Sequence, residues 1–286
     1  MKFKEVKLKE WKGIHQYSKH GWLYRGHREA DWELESSFER CCKRHQVHAD
    51  CRRELEKRLF REFRRTYPLY AKHIPHPGSV IEWLSLMQHH GAPTRLLDFT
   101  YSIYVAAYFA TEEEAKEDSA IWAIQGQWAK ERACKLLKKA GKRGSGLRLL
   151  ETGKQFEEKD EKPVSALFFK TPYVRLCWPI NGFRLNERLL IQRGVFLVPG
   201  DVSCSFMLNI IPLMERGVED RILKIVIPKK VGRQAVAELF SMGISRTSLF
   251  PGLDGFSRSL GVWHSAFDPA YPTCGHAPRR VAGAPP

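Results

Sequence analysis

The stretch QHHGAPTRLLDFT, residues 88–100, contains the end of one predicted helix and the segment that leads to the next. Gly91 and Pro93 predict that the first helix ends there, because glycine favours a helix terminus and proline cannot continue the backbone hydrogen-bond ladder. The nearly all-apolar run VAAYFA, residues 105–110, predicts a buried helix soon afterwards. The region therefore contains the end of one helix and precedes a second, buried one.

Strand-like and helix-like segments precede and follow residues 88–110 in the sequence. The first strand-like run begins at Trp22 and leads to Arg25 and Gly26. The remaining predicted segments are strands at 120–124, 167–169, 189–198 and 222–227, and helices at 52–65, 79–90 and 233–241. Because strands and helices follow one another irregularly, we predict an α+β fold with a mixed, mostly antiparallel sheet core and flanking helices.

The length of 286 residues allows one large domain or two ordinary ones, and the pattern along the chain predicts a single domain with two atypical segments. The domain is predicted over residues 1–262. Residues 127–162 are rich in lysine and glycine and are interpreted as a basic surface insertion. Residues 263–286 contain Pro, Gly, Ala and Arg without periodicity, so we expect a flexible tail there.

Composition and charge indicate the compartment and the class of partner. Hydrophobic residues make up 43% of the chain, no apolar run reaches 18 residues, and the first 14 residues are charged rather than apolar. We therefore expect a cytoplasmic protein with no membrane span, and its seven cysteines as reduced thiols. The net charge of +15 favours nucleotides, nucleic acid or an acidic protein as partners. Nothing in the sequence indicates the oligomeric state.

Three separated stretches resemble the FRG domain family. The first is Tyr24, Arg25 and Gly26, which matches the aromatic-Arg-Gly signature of the family. The second and most specific is residues 88–100, continuing to Tyr108, Phe109 and Ala110. The third combines Arg188, Gln192, Gly194 and Phe196 with residues 248–255. The resemblance implies that Arg25, Arg95, Asp98 and Gln192 belong to one domain and converge.

The order of elements is also similar to that of ADP-ribosyltransferases, which implies NAD as a substrate and transfer of ADP-ribose to an intracellular macromolecule. In such a reaction Arg25 would bind the pyrophosphate and Thr100 would orient the ribose or the arginine. The resemblance implies Arg25, Thr100 and Gln192 as catalytic residues. Those expected to bind the cofactor are Tyr24, Arg25, Gly26, Arg95 and Asp98.

Gln192 departs from the transferase pattern, which has a glutamate at this place. A neutral amide neither stabilises a cationic transition state by charge nor acts as a general base. Either Glu187 or Asp98 replaces the missing carboxylate, or the pocket only binds its ligand.

Each predicted site residue also has a purely structural interpretation. Arg25 or Arg95 would then form a buried ion pair with Asp98. Thr100 would cap the following helix, a role that the nearby Ser102 could also take. Gln192 would satisfy a backbone group.

Two further features suggest other kinds of site. Cysteines and histidines cluster between positions 41 and 51, but their spacing matches no paired-cysteine zinc pattern and arginines flank them, so we expect no metal. The basic helix 52–65 and the lysines near 130–142 would together follow a phosphate backbone. The alternative function is therefore a non-enzymatic module that binds nucleic acid or protein, although no base-reading motif is present.

Overall fold

The computed structural model describes residues 3–113, 117–152, 158–181, 187–214 and 219–266. Within these residues one seven-stranded sheet has the order β1-β7-β4-β2-β3-β6-β5. Its strands are β1 (Lys4–Lys7), β2 (Trp22–His27), β3 (Leu97–Thr100), β4 (Ser119–Gln125), β5 (Cys177–Ile180), β6 (Gly194–Pro199) and β7 (Ile222–Ile227). The β1–β7 pair is parallel and the other neighbouring pairs are antiparallel.

Helices cover both faces of the sheet, so the predicted α+β class with a mixed, mostly antiparallel sheet is confirmed. The α-helices are α1 (Ser37–Arg44), α2 (Ala49–Thr66), α3 (Val80–His89), α4 (Ile103–Thr111), α5 (Gly126–Lys139), α6 (Ser145–Thr152), α7 (Glu158–Phe169), α8 (Glu187–Ile191), α9 (Phe206–Ile210), α10 (Lys229–Ser241), α11 (Arg246–Leu249) and α12 (Leu253–Ala266). Short 3-10 helices span Trp11–Tyr17, Tyr67–Leu69, Ile211–Leu213 and Glu219–Arg221.

The alternation of side chains along β2 separates the core into two layers. Leu23 packs in the larger cluster, with α3, α5 and α7, whereas Tyr24 packs in the cluster that contains α4. Helix α4 lies very close to β2, since a Cβ atom on Gly26 would be 2.0 Å from the carbonyl oxygen of Ala106. Only glycine permits this approach, and it fixes the helix against the strand that carries Arg25.

Several sequence predictions differ from the structure. Residues 167–169 belong to helix α7 rather than to a strand, and the predicted strand 189–198 begins as α8 and becomes β6 only at Gly194. A short apolar run does not distinguish a strand from a buried helix, and these two runs illustrate that limit.

The segment 127–162 is not the surface insertion that its lysines indicated. Trp128, Leu137 and Leu147 are buried in the larger core cluster, so α5 and α6 contribute one side of the domain. At the other end, α12 continues to Ala266, past the boundary predicted at residue 262. The rest of the predicted tail, 267–286, lies outside the described residues.

Among the described residues, no helix is both long enough and apolar enough to cross a membrane.

Candidate functional site

A pocket opens where strands β2 and β3 separate. Along β2, every residue from Trp22 to His27 pairs with β4, whereas β2 and β3 share the single pair Tyr24–Thr100. The open volume is about 270 Å³. Six of the seven residues predicted from the sequence line it, namely Tyr24, Arg25, Gly26, Asp98, Thr100 and Gln192. Phe99, Ala106, Phe109 and Arg188 complete the lining.

Neutral acceptors hold the half-buried guanidinium of Arg25 in this pocket. Its Nη1 donates to the backbone oxygen of Asp98 at 2.7 Å, and its Nε donates to Nε2 of His27 at 3.2 Å. Within the described part of the chain, Arg25 forms no ion pair with a carboxylate, so the predicted Arg25–Asp98 pair is replaced by a main-chain contact. Burial lowers the pKa of Arg25, while the charge of Asp98 raises it and that of Arg40 lowers it further.

His27 is a site residue that sequence reasoning missed. Its Nδ1 lies 3.2 Å from the backbone oxygen of Trp32, which fixes the tautomer with the proton on Nδ1 and leaves Nε2 free to accept from Arg25. Burial, followed by the nearby charge of Arg25, lowers the pKa of His27 to about 3. The signal was present in the sequence, because residues two apart on a strand share a face.

The side chains of Thr100 and Gln192 form hydrogen bonds with backbone groups of the pocket wall. The Thr100 hydroxyl donates to the backbone oxygen of Gln192 at 2.7 Å and accepts from the backbone N–H of Ser102 at 3.0 Å. The amide Nε2 of Gln192 donates to the backbone oxygen of Leu249 at 3.0 Å. Ser102 rather than Thr100 caps α4, through the N–H of Val105. Gln192 therefore satisfies a backbone group, as its structural interpretation predicted, whereas Thr100 does not cap α4. The catalytic roles of both residues stay predictions.

Asp98 contributes the carboxylate of the pocket lining. Its side chain is exposed, in contrast with its neighbours Leu97 and Phe99, which are buried. Glu187, the other carboxylate considered as a replacement for the missing glutamate, begins α8 and is exposed but is not part of the lining.

Arg95, predicted to bind the cofactor, is not brought to this pocket. It is 2% exposed and forms a two-contact ion pair with Glu56 of α2, with Nε at 2.6 Å from Oε1. It also donates to the backbone oxygens of Phe168 and Pro199 and lies over the ring of Phe169. The predicted Arg95–Asp98 pair is therefore not formed, because Glu56 takes the arginine instead.

A second guanidinium, that of Arg188, lines the pocket from α8. The side chain is exposed, and its guanidinium carbon lies 4.9 Å from the ring centroid of Phe250. Arg246 approaches the same ring at 4.8 Å and is paired with Glu112. The family resemblance includes Arg188 in the domain, but no sequence pattern predicts that it lines the same pocket as Arg25.

The basic surface proposed for nucleic acid is partly used inside the protein. Arg53 of α2 binds Asp201 at 2.9 Å and lies over the ring of Tyr173. The buried amino group of Lys142 donates to the backbone oxygens of Lys170 and Thr171. These cations cannot follow a phosphate backbone without breaking contacts that hold the fold.

Comparison with known proteins identifies one domain. Residues 20–119 match the family model of the FRG domain. No curated protein and no solved structure matches the chain. The matched residues include β2, β3 and α4, which carry eight of the ten residues that line the pocket. They also include the pair Tyr24–Thr100, at which the two strands separate. Residues 20–119 of the chain therefore contain an FRG domain.

Proposed function

We propose that the pocket between β2 and β3 binds a nucleotide, with NAD as the substrate, and that the chain transfers ADP-ribose from it to an intracellular macromolecule. The observation that carries the proposal is the charge of Arg25. A guanidinium removed from bulk water and held only by neutral acceptors is stabilised when an anion approaches. A phosphate group supplies that anion.

The remaining lining residues supply chemistry suited to a nucleotide. In the proposed reaction the bond between ribose C1′ and the nicotinamide nitrogen breaks, and its electron pair leaves with nicotinamide. The acceptor's nucleophile then bonds to C1′ and loses its proton. Asp98 provides the negative charge that stabilises the oxocarbenium-like ribose, a contribution that the amide of Gln192 cannot make.

Three variants assign these roles. Purified protein is incubated with NAD labelled in the adenylate part and with cell extract, and nicotinamide release and label transfer are measured together. We expect both in the unaltered chain and neither in Arg25→Gln. Asp98→Asn should retain NAD binding, measured by calorimetry, and lose turnover by roughly 100-fold or more, the scale of removing one electrostatic group from a transition state.

Arg58→Gln is the matched control, because Arg58 is an exposed cation on α2 and does not line the pocket. Its turnover should equal that of the unaltered chain. NAD binding without nicotinamide release in any extract would contradict the transferase reaction and leave a binding pocket. Absence of NAD binding would contradict the proposal as a whole. Retention on RNA that falls steeply with salt would then favour the nucleic-acid module.

A further inference from the structure

We infer that Arg188 is a second anion-binding residue of the pocket, and that the pocket selects ligands that carry a diphosphate over those with a single phosphate. The inference rests on the proposed nucleotide-binding function and specifies the chemical class of its ligand. It concerns a residue whose role neither the motif nor the transferase resemblance assigns.

The environment of Arg188 leaves its hydrogen-bond donors available. The side chain is exposed, lines the pocket, and has no carboxylate partner in the part of the chain that the structure describes. Its guanidinium carbon lies 4.9 Å from the centroid of the Phe250 ring. A cation over an aromatic face is attracted by the ring itself and uses none of its five N–H groups.

The ring that supports Arg188 is itself fixed. Phe250 contacts Phe109 edge to face, with ring centroids 5.9 Å apart, and Phe109 lines the same pocket. A second cation, Arg246, also lies over the ring of Phe250, and its ion pair with Glu112 holds it there. Arg188 is therefore oriented before any ligand arrives, which lowers the entropic cost of binding.

The two pocket guanidiniums come from different elements. Arg25 lies on β2 and Arg188 on α8, and the carboxylate of the lining is that of Asp98. Two guanidiniums and one carboxylate leave a net positive charge in the lining, and a diphosphate carries more negative charge and more acceptor oxygens than a single phosphate. Adjacent phosphates provide oxygens for both arginines, and planar guanidinium groups favour such contacts.

The test compares two ligands that differ by one phosphate. Binding of ADP and of AMP is measured by calorimetry for the unaltered chain, for Arg188→Met and for the control Arg58→Met. We expect the unaltered chain to bind ADP roughly 10- to 100-fold more tightly than AMP, the range for charge-assisted hydrogen bonds. Arg188→Met should remove most of that preference and change AMP affinity by less than about threefold. Arg58→Met should change neither affinity.

An unchanged thermal unfolding midpoint of Arg188→Met would show that the variant is folded, as expected for an exposed side chain. Equal affinities for ADP and AMP in the unaltered chain would overturn the inference while leaving nucleotide binding in place. The same conclusion would follow if Arg188→Met weakened both ligands equally. If neither nucleotide bound, the proposed function would fail first, and this inference with it.

Discussion

Two of the arginines that the family motifs supply, Arg95 and Arg25, have opposite environments. Arg95 is almost fully buried, and a carboxylate and two backbone oxygens occupy its donors. Arg25 lies at an open pocket and contacts one backbone oxygen and one neutral imidazole. The first charge is compensated within the protein, and the second is not.

Both arginines belong to family motifs, so the motif does not determine whether an arginine is structural or available to a ligand. The groups that accept its hydrogen bonds determine it. The buried ion pair holds α2 against the segment that precedes β3, and the loss of one partner leaves an uncompensated charge. An arginine supported by neutral groups keeps its charge for a ligand.

The largest effect is expected at Arg95. Arg95→Met leaves the carboxylate of Glu56 buried without its partner, and we expect the free energy of unfolding to fall by about 3–5 kcal/mol. Urea denaturation measures it. Arg25→Met should cost less, because no buried carboxylate loses a partner there.

The double variant Arg95→Met, Glu56→Leu is the control for charge. It should recover much of the lost stability, since replacing both partners by apolar groups is often close to neutral. If the single variant unfolded at the same urea concentration as the unaltered chain, the structural role assigned to Arg95 would be wrong.

Acid should lower the free energy of unfolding, because His27, the acceptor for the Arg25 Nε–H group, is neutral in the folded chain. The pKa of His27 is lowered to about 3 in the folded chain from 6.5, so the unfolded chain binds more protons between these values. Stability contributed by the neutral imidazole is complete above pH 6.5 and is lost as pH falls towards 3. The loss should reach about 2 kcal/mol at pH 5.

Denaturation at pH 7, 6 and 5 measures this slope. His27→Gln keeps an acceptor for Arg25 but does not titrate. Its free energy of unfolding should therefore lack the loss of about 2 kcal/mol at pH 5 that His27 causes. Equal slopes for the two proteins would show that His27 is not the group responsible.

A smaller effect is expected at Thr100. Thr100→Val removes the hydrogen bond to the backbone oxygen of Gln192 while keeping the shape, and should cost about 1 kcal/mol. Thr100→Ser keeps the hydroxyl and should cost less. If Thr100→Val abolished NAD turnover while NAD binding and stability stayed intact, Thr100 would have the catalytic role that the transferase resemblance implies.

The sequence predicted the parts of the fold and site that depend on local patterns. Strand β2 has the expected bounds because its apolar residues precede Arg25 and Gly26 directly. Of the four residues that the family resemblance predicted to converge, Arg25, Asp98 and Gln192 line one pocket, whereas Arg95 does not.

What failed depends on contacts between distant segments. Glu56 lies on α2, 39 positions before Arg95, so no local pattern connects them. In α5, lysines at the surface obscured the apolar face that Trp128 and Leu137 bury. The role of Arg188 depends on Phe250, which comes from a third part of the chain.

The most direct test of the account follows the side-chain N–H signals of both arginines during a nucleotide titration. In an ¹⁵N-labelled sample, the Nε–Hε resonance of Arg25, identified by its loss in Arg25→Gln, should shift in proportion to bound ADP. That of Arg95, identified by its loss in the double variant with Glu56, should stay in place. A shift at Arg95 with none at Arg25, when ADP is saturating, would contradict the assignment of the two environments.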